Sequence, residues 1–317
     1  MDFTEVEQAR AFLRQHLGIS RLVHAQWLSQ ASGAEVYLKL ENETETGSFK
    51  PRGALYALHR HCQRGSVAGV VACSTGNHGA GVAFAARRCG VAATIFLPRN
   101  PNPTKRARIE QLGANIIEVA HDYEAAREHA ASFAREHGWY FLEDGRDPDL
   151  RVGQATIGCE ILEQLPAVEV LYVPVGDTTL ITGVAFAVKQ LKPEVRVIGV
   201  QAERAPAYYL SWQQRRVVST DTCDTIADGL ATRQPREENV RLLGELVDEM
   251  RLVSEQEMLQ AIGWLLLQEH TVAEPAGAGA AAALLQAGQR HTGQKVVVLI
   301  TGANITREIL RQAVAKI

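Results

Sequence analysis

The sequence predicts an α/β protein of two lobes, with open, mostly parallel sheets covered by helices. Three observations predict it. A short β-branched apolar run, a turn and an amphipathic helix recur in that order along most of the chain. Strands that alternate with helices imply parallel pairing with both sheet faces covered. At 317 residues the chain can bury a large core and has length for two lobes. The expected division is a large cofactor-binding domain from 1–47 and 150–317, with a small domain at 48–149.

The elements follow in order. Residues 1–13, MDFTEVEQARAFL, read as an amphipathic helix, and they lack the basic start and apolar middle of a signal peptide. Residues 67–73 read as a strand and 79–88 as the helix after it. A strand at 92–97, a helix at 103–112, a strand at 115–119 and a helix at 123–137 continue the rhythm. Residues 138–151, GWYFLEDGRDPDLR, are turn-rich and mark the best boundary. The pattern resumes with a strand at 168–173, a helix at 180–190 and a strand at 195–200. Alanine-rich 273–287 is a helix former whose small residues suit close packing. A strand at 295–300 and a helix from about 305 end the chain.

Bulk composition removes several functions. Hydrophobic residues are 46% and charged residues 22%, and the net charge of −3 gives no electrostatic reason to expect nucleic acid. The basic run Lys105, Arg106, Arg108 reads as a solvated helix face. No apolar run is long enough to span a bilayer. The five cysteines are odd in number, scattered and without a CxxC pair, which predicts free thiols and a cytoplasmic location.

In parallel sheets, ligands collect where loops leave the carboxyl ends of strands. Three such loops, 74–79, 176–179 and 301–304, have unusual content and are expected to converge. Before the first lies Lys50, with Phe49 before it, Pro51 after it, and Gly47 and Gly53 on either side. A partly desolvated lysine is both a nucleophile for an aldehyde and a proton acceptor, although the spacing equally suits a structural turn. Ser74-Thr75-Gly76-Asn77-His78-Gly79 lies on a strand-to-helix turn, whose unpaired amides bind a carboxylate or phosphate. Ser74 or Asn77 could equally be a plain N-cap. The glycine order departs from GxGxxG, which argues against a dinucleotide oxidoreductase.

These segments together resemble a known family. GSFKPRGA (47–54), STGNHGAGVAFAA (74–86), VPVG with LITGVA (173–185), TIADGLA (225–231) and LITGANIT (299–306) occur in the order found in fold type II pyridoxal-phosphate enzymes. The chain looks most like their serine/threonine dehydratase group, which includes serine racemase. The resemblance implies pyridoxal 5'-phosphate held as a Schiff base on Lys50, with Phe49 beneath the ring and Asn77 on the ring oxygen. It implies that Ser74, Thr75, Gly76 and His78 hold the substrate carboxylate. Gly176, Asp177, Thr178, Thr179 and Leu180 would cradle the phosphate, Glu274 would border the ring, and Thr301 would face the pyridine nitrogen. A neutral hydroxyl there leaves the ring a weaker electron sink, which favours elimination over transamination. The implied activity is β-elimination from a small β-hydroxy amino acid, giving a 2-oxo acid and ammonia. Lys50 would take the α-proton; Thr75 acting as an acid on the opposite face would permit racemisation instead. A homodimer is expected.

Four features depart from the family pattern. Gly176-Asp177-Thr178-Thr179 replaces a run of glycines, and a carboxylate beside a phosphate dianion is repulsive. Asp177 is therefore expected to point away, and a chain that has lost the cofactor stays an alternative. Gln201 and Ala207 stand where relatives carry cation-binding acids, so no metal is expected. The segment Phe141-Leu142-Glu143-Asp144-Gly145-Arg146 lacks a His-Pro-type sequence; its acids read either as solvated loop or as favouring a polar or cationic substrate. Finally, the chain ends soon after the last motif, so no appended amino-acid-sensing domain is expected.

Overall fold

A strand covered on both faces must be apolar throughout, and the chain's central strands are. Gly69–Cys73, Val170–Pro174 and all but the first residue of Lys295–Ile300 are buried. A computed structural model describes residues 1–65, 67–74, 76–119 and 123–317. It opens with α1 (Phe3–His16), β1 (Leu22–His24), α2 (Gln26–Ser32), β2 (Glu35–Leu40) and α3 (Lys50–Arg64). Next come β3 (Gly69–Cys73), α4 (Asn77–Cys89), β4 (Ala92–Leu97), α5 (Pro103–Gln111), β5 (Asn115–Glu118), α6 (Tyr123–His137) and β6 (Tyr140–Phe141). The middle comprises α7 (Pro148–Gln164), β7 (Val170–Pro174), α8 (Thr179–Leu191), β8 (Arg196–Ala202) and α9 (Ala207–Gln214). The last part is α10 (Glu237–Leu246), β9 (Glu249–Val253), α11 (Glu255–Gln268), α12 (Pro275–Ala287), β10 (Lys295–Ile300) and α13 (Arg307–Val314).

The chain packs as two units, Met1–Gly18 with Thr44–Gln154, and Ile19–Glu43 with Ala155–Ile317. Helix α1 thus groups with the smaller sheet, where the sequence put residues 1–47 with 150–317. Burial of Val6, Ala9 and Leu13 on one face of α1 accounts for its docking.

The first unit holds a four-stranded sheet in the order β5-β4-β3-β6, parallel throughout. Parallel neighbours cannot be joined by a tight hairpin, and helices make the crossovers between them. The second unit holds a six-stranded sheet in the order β1-β2-β10-β7-β8-β9, parallel except for the β1–β2 pair. Its interior contains a fully buried ion pair. Lys39 Nζ on β2 lies 2.7 Å from Glu160 Oε2 on α7 and also donates to the Ser20 carbonyl and Gln164. Three oxygen partners for one ammonium are what make such a charge tolerable in a core.

Candidate active site

In the first unit, Lys50 is the first residue of α3, with Pro51 fixing the helical entry. Its backbone is held by close approach. A Cβ on Gly81 of α4 would lie 2.9 Å from Lys50 Cβ, and one on Gly153 would meet the Arg52 carbonyl oxygen. Only glycine at these positions lets the neighbouring helices pack this near. Lys50 Nζ is 4.9 Å from the centre of the Phe49 ring and forms an ion pair with Asp144, both side chains mostly buried. The Asp144 carboxylate also accepts from the Gly145 amide at 3.1 Å. Beside it, Glu143 pairs with Arg127 at 2.6 Å and Arg146 at 2.8 Å. The reading of these acids as solvated loop therefore fails for both.

Ser74 is buried, and its Oγ accepts from the Gly76 amide at 2.9 Å, so it closes the turn after β3. A Cβ on Gly76 would collide with the Lys105 side chain, which is buried instead of forming the expected solvated face. Asn77 and His78 begin α4. His78 Nε2 lies 2.9 Å from the Leu142 carbonyl oxygen, which can only accept, so Nε2 carries the proton. Burial holds this imidazole below its ordinary pKa, and Nδ1 is then an acceptor with no partner among the described residues. In that state the ring cannot donate to a carboxylate. Thr75, expected in both catalysis and substrate binding, lies outside the described residues.

The second unit carries the remaining candidates. The loops after β7 and β10 leave the carboxyl ends of adjacent, parallel strands. Four motifs close on one another there through backbone. A Cβ on Gly176 would run into the Gly229 carbonyl oxygen, and one on Gly229 would meet Ala276. A Cβ on Gly277 would lie 2.9 Å from Gly302 N. Glu274, the N-cap of α12, is buried and donates its amide to the Gly302 carbonyl at 2.9 Å. Thr301 is buried at the end of β10.

Thr178 is the least ordinary residue of the group. It caps α8 at φ +68°, a left-handed conformation that a β-branched residue rarely adopts. Its hydroxyl is buried and has no partner among the described residues. The amide end of a 13-residue helix, with a buried hydroxyl beside it that has no partner among the described residues, fits a phosphate. The residues present thus suit the implied cofactor.

One side chain escaped sequence reasoning. Gln154 on α7 is fully buried, and neither its amide oxygen nor its nitrogen has a partner among the described residues. No local pattern marks it. Gln201, standing at the position of a cation ligand, instead accepts from the Tyr209 amide at 2.9 Å. Among the described residues no group of three or more His, Cys, Asp or Glu could hold a metal ion. Nor is any helix among them long and apolar enough to cross a membrane.

Each unit taken by itself carries groups compatible with an aldehyde-bearing phosphate cofactor, a mostly buried lysine amine in the first and a helix start beside a buried hydroxyl in the second. Residues 13–302 match the pyridoxal-phosphate dependent enzyme family, and the chain belongs to it. It is 39% identical to the L-threonine ammonia-lyase of Thermotoga maritima, over 98% of this chain and 78% of that one. It is 34% identical to a catabolic L-threonine dehydratase of Staphylococcus aureus, over 95% and 88%. In structure it resembles a processed threonine deaminase of Solanum lycopersicum, with a TM-score of 0.91, 29% identity and coverage of 100% and 89%. It also resembles maize serine racemase, with a TM-score of 0.92, 26% identity and coverage of 99% and 97%. The expected fold type II architecture and pyridoxal-phosphate dependence are met.

Proposed function

We propose that this chain is an ammonia-lyase that removes the hydroxyl and amino groups of threonine, or a similar small β-hydroxy amino acid, leaving a 2-oxo acid and ammonia. The observation that carries the reading is Lys50, a mostly buried amine at a helix start whose backbone is packed closely against Gly81. Bound cofactor would supply an aldehyde for amines and a sink for electrons released at the α-carbon. Lys50 Nζ would hold it through a Schiff base and then, once freed, take the α-proton. Asp144 keeps that amine aimed while it is charged.

Phosphate would be bound by the Thr178 hydroxyl and by the backbone of Gly176, Asp177, Thr179 and Leu180. The Thr301 hydroxyl would meet the ring nitrogen without protonating it, Glu274 would border the ring and Phe49 would underlie it. Asn77 would reach the ring oxygen. Ser74, Thr75 and Gly76 would present the turn to the substrate carboxylate, with His78 as a neighbouring acceptor rather than a donor. Relatives named for threonine support the substrate class. We also infer a cytoplasmic homodimer; five free thiols suit a reducing compartment.

The test is direct. The protein with added pyridoxal phosphate should be yellow, and borohydride should discharge the colour and leave the label on Lys50. With L-threonine it should release ammonia and a 2-oxo acid, and Lys50→Ala should abolish turnover while the circular dichroism spectrum stays the same. A label on another lysine, or turnover by Lys50→Ala, sinks the reading. Interconversion of L- and D-amino acid without ammonia would replace the lyase by a racemase.

A further inference from the structure

We propose that Asn239 on α10, oriented by Tyr208 on α9, is the positioning residue that shapes the 176–179 loop for phosphate. The inference rests on reading that loop as the phosphate cradle. A glycine-rich loop reaches left-handed backbone at little cost, whereas this one must hold a β-branched residue, Thr178, there under strain. Something outside the loop has to fix it.

Asn239 does so through the peptide that joins Asp177 to Thr178. Its Nδ2 donates to the Asp177 carbonyl oxygen at 3.3 Å and to the Tyr208 hydroxyl at 3.1 Å. Both partners are oxygens and the carbonyl can only accept, so the amide presents its nitrogen to the loop. In a trans peptide the C=O and the following N–H point in opposite directions. With the Asp177 carbonyl held toward α10, the Thr178 N–H is turned to the other side of the loop. The peptide plane cannot flip without breaking the Asn239 bond, and a flip would remove the left-handed geometry at Thr178.

The clamp itself is rigid. Asn239 and Tyr208 are buried, and the Tyr208 hydroxyl also accepts from the Arg236 amide at 3.4 Å. Burial first, and then the nearby Asp177 carboxylate, pushes Tyr208 up to about 12, so the hydroxyl stays protonated at any working pH. Neither α9 nor α10 contains a motif of the family, so this support comes from outside the segments that carry the resemblance.

The experiment compares pyridoxal phosphate with pyridoxal, which has the same aldehyde and ring but no phosphate. Absorbance titration of the whole chain gives a Kd for each. Asn239→Asp keeps the side-chain volume and loses the donor. It should weaken pyridoxal phosphate about tenfold, the loss of one hydrogen bond, and leave pyridoxal unchanged. Tyr208→Phe should give a smaller loss with the same selectivity, and it carries the test if Asn239→Asp fails to fold. A pyridoxal phosphate Kd within about twofold of the unaltered chain, or parallel weakening of both aldehydes, overturns the proposal. Equal affinity of the unaltered chain for the two aldehydes overturns the cradle itself, and the clamp with it.

Discussion

Two glycines two positions apart on α12 should respond to the same substitution with opposite signs. A Cβ on Gly277 would lie 2.9 Å from Gly302 N, 3.3 Å from Gly302 C, and closer still to the carbonyl oxygen that accepts from Glu274. All three atoms are backbone, so relief requires the 301–302 turn to move. A Cβ on Gly279 would find its nearest neighbours at 3.6 Å (Leu230 Cδ1) and 3.8 Å (Val200 Cγ1), which is ordinary contact. Replacing glycine by alanine inside a helix stabilises by about 0.5–1 kcal/mol when space allows. Overpacking costs about 1–3 kcal/mol. Gly279→Ala should therefore gain about 0.5–1 kcal/mol and Gly277→Ala should lose about 1–2 kcal/mol net. Urea unfolding of the cofactor-free proteins measures both, provided the slopes stay equal. Gly277→Ala should also weaken pyridoxal phosphate, because Thr301 moves with Gly302. A Gly277→Ala protein as stable as the parent would refute the argument that backbone contact closes these motifs.

Other consequences can be measured in the same way. Lys39→Met should cost about 3–5 kcal/mol in urea unfolding by stranding Glu160, whereas Lys39→Met with Glu160→Leu should recover most of that loss. Stability should fall at both ends of the pH scale. On the acid side the buried His78 resists protonation, so its contribution is lost as pH drops below the unfolded value of 6.5, and His78→Gln should soften that fall in a Tm series. On the alkaline side burial pushes Cys73 up to about 12 and Cys89 to about 11, so the folded state keeps protons the unfolded state sheds. Stability then declines above pH 9, and Cys73 should stay unalkylated at pH 8 in the native protein. Asp177→Gly should leave the pyridoxal phosphate Kd equal or lower; a large increase would show that this carboxylate supports the cofactor.

The parallel fold was legible because its signals are local. Strands 92–97 and 295–300 and helix 123–137 stand where the apolar periodicity puts them. Residues 35–40 gave no such signal. Lys39 interrupts that run with a charge, and its partner Glu160 is 121 positions away. The same reason hid Asp144, which faces Lys50 across 94 positions, and Lys105, buried against Gly76. A charge whose counter-ion or cover is distant in sequence looks solvated to any local reading. Helices α9 and α10 escaped for a related reason: their contribution lies in what they hold.

The replaced glycines at 177–179 become intelligible once close approach and backbone conformation are separated. Glycine does two things in a phosphate loop: it lets backbones touch, and it permits positive φ. Here contact is supplied by Gly176 against Gly229 and by Gly277 against Gly302, none of which lies in the altered stretch. Only Thr178 needs the second property, and a single strained residue can be held by one buried amide. In return the loop gains a hydroxyl that a glycine could not offer, and that hydroxyl stands buried at the head of α8 with no partner among the described residues.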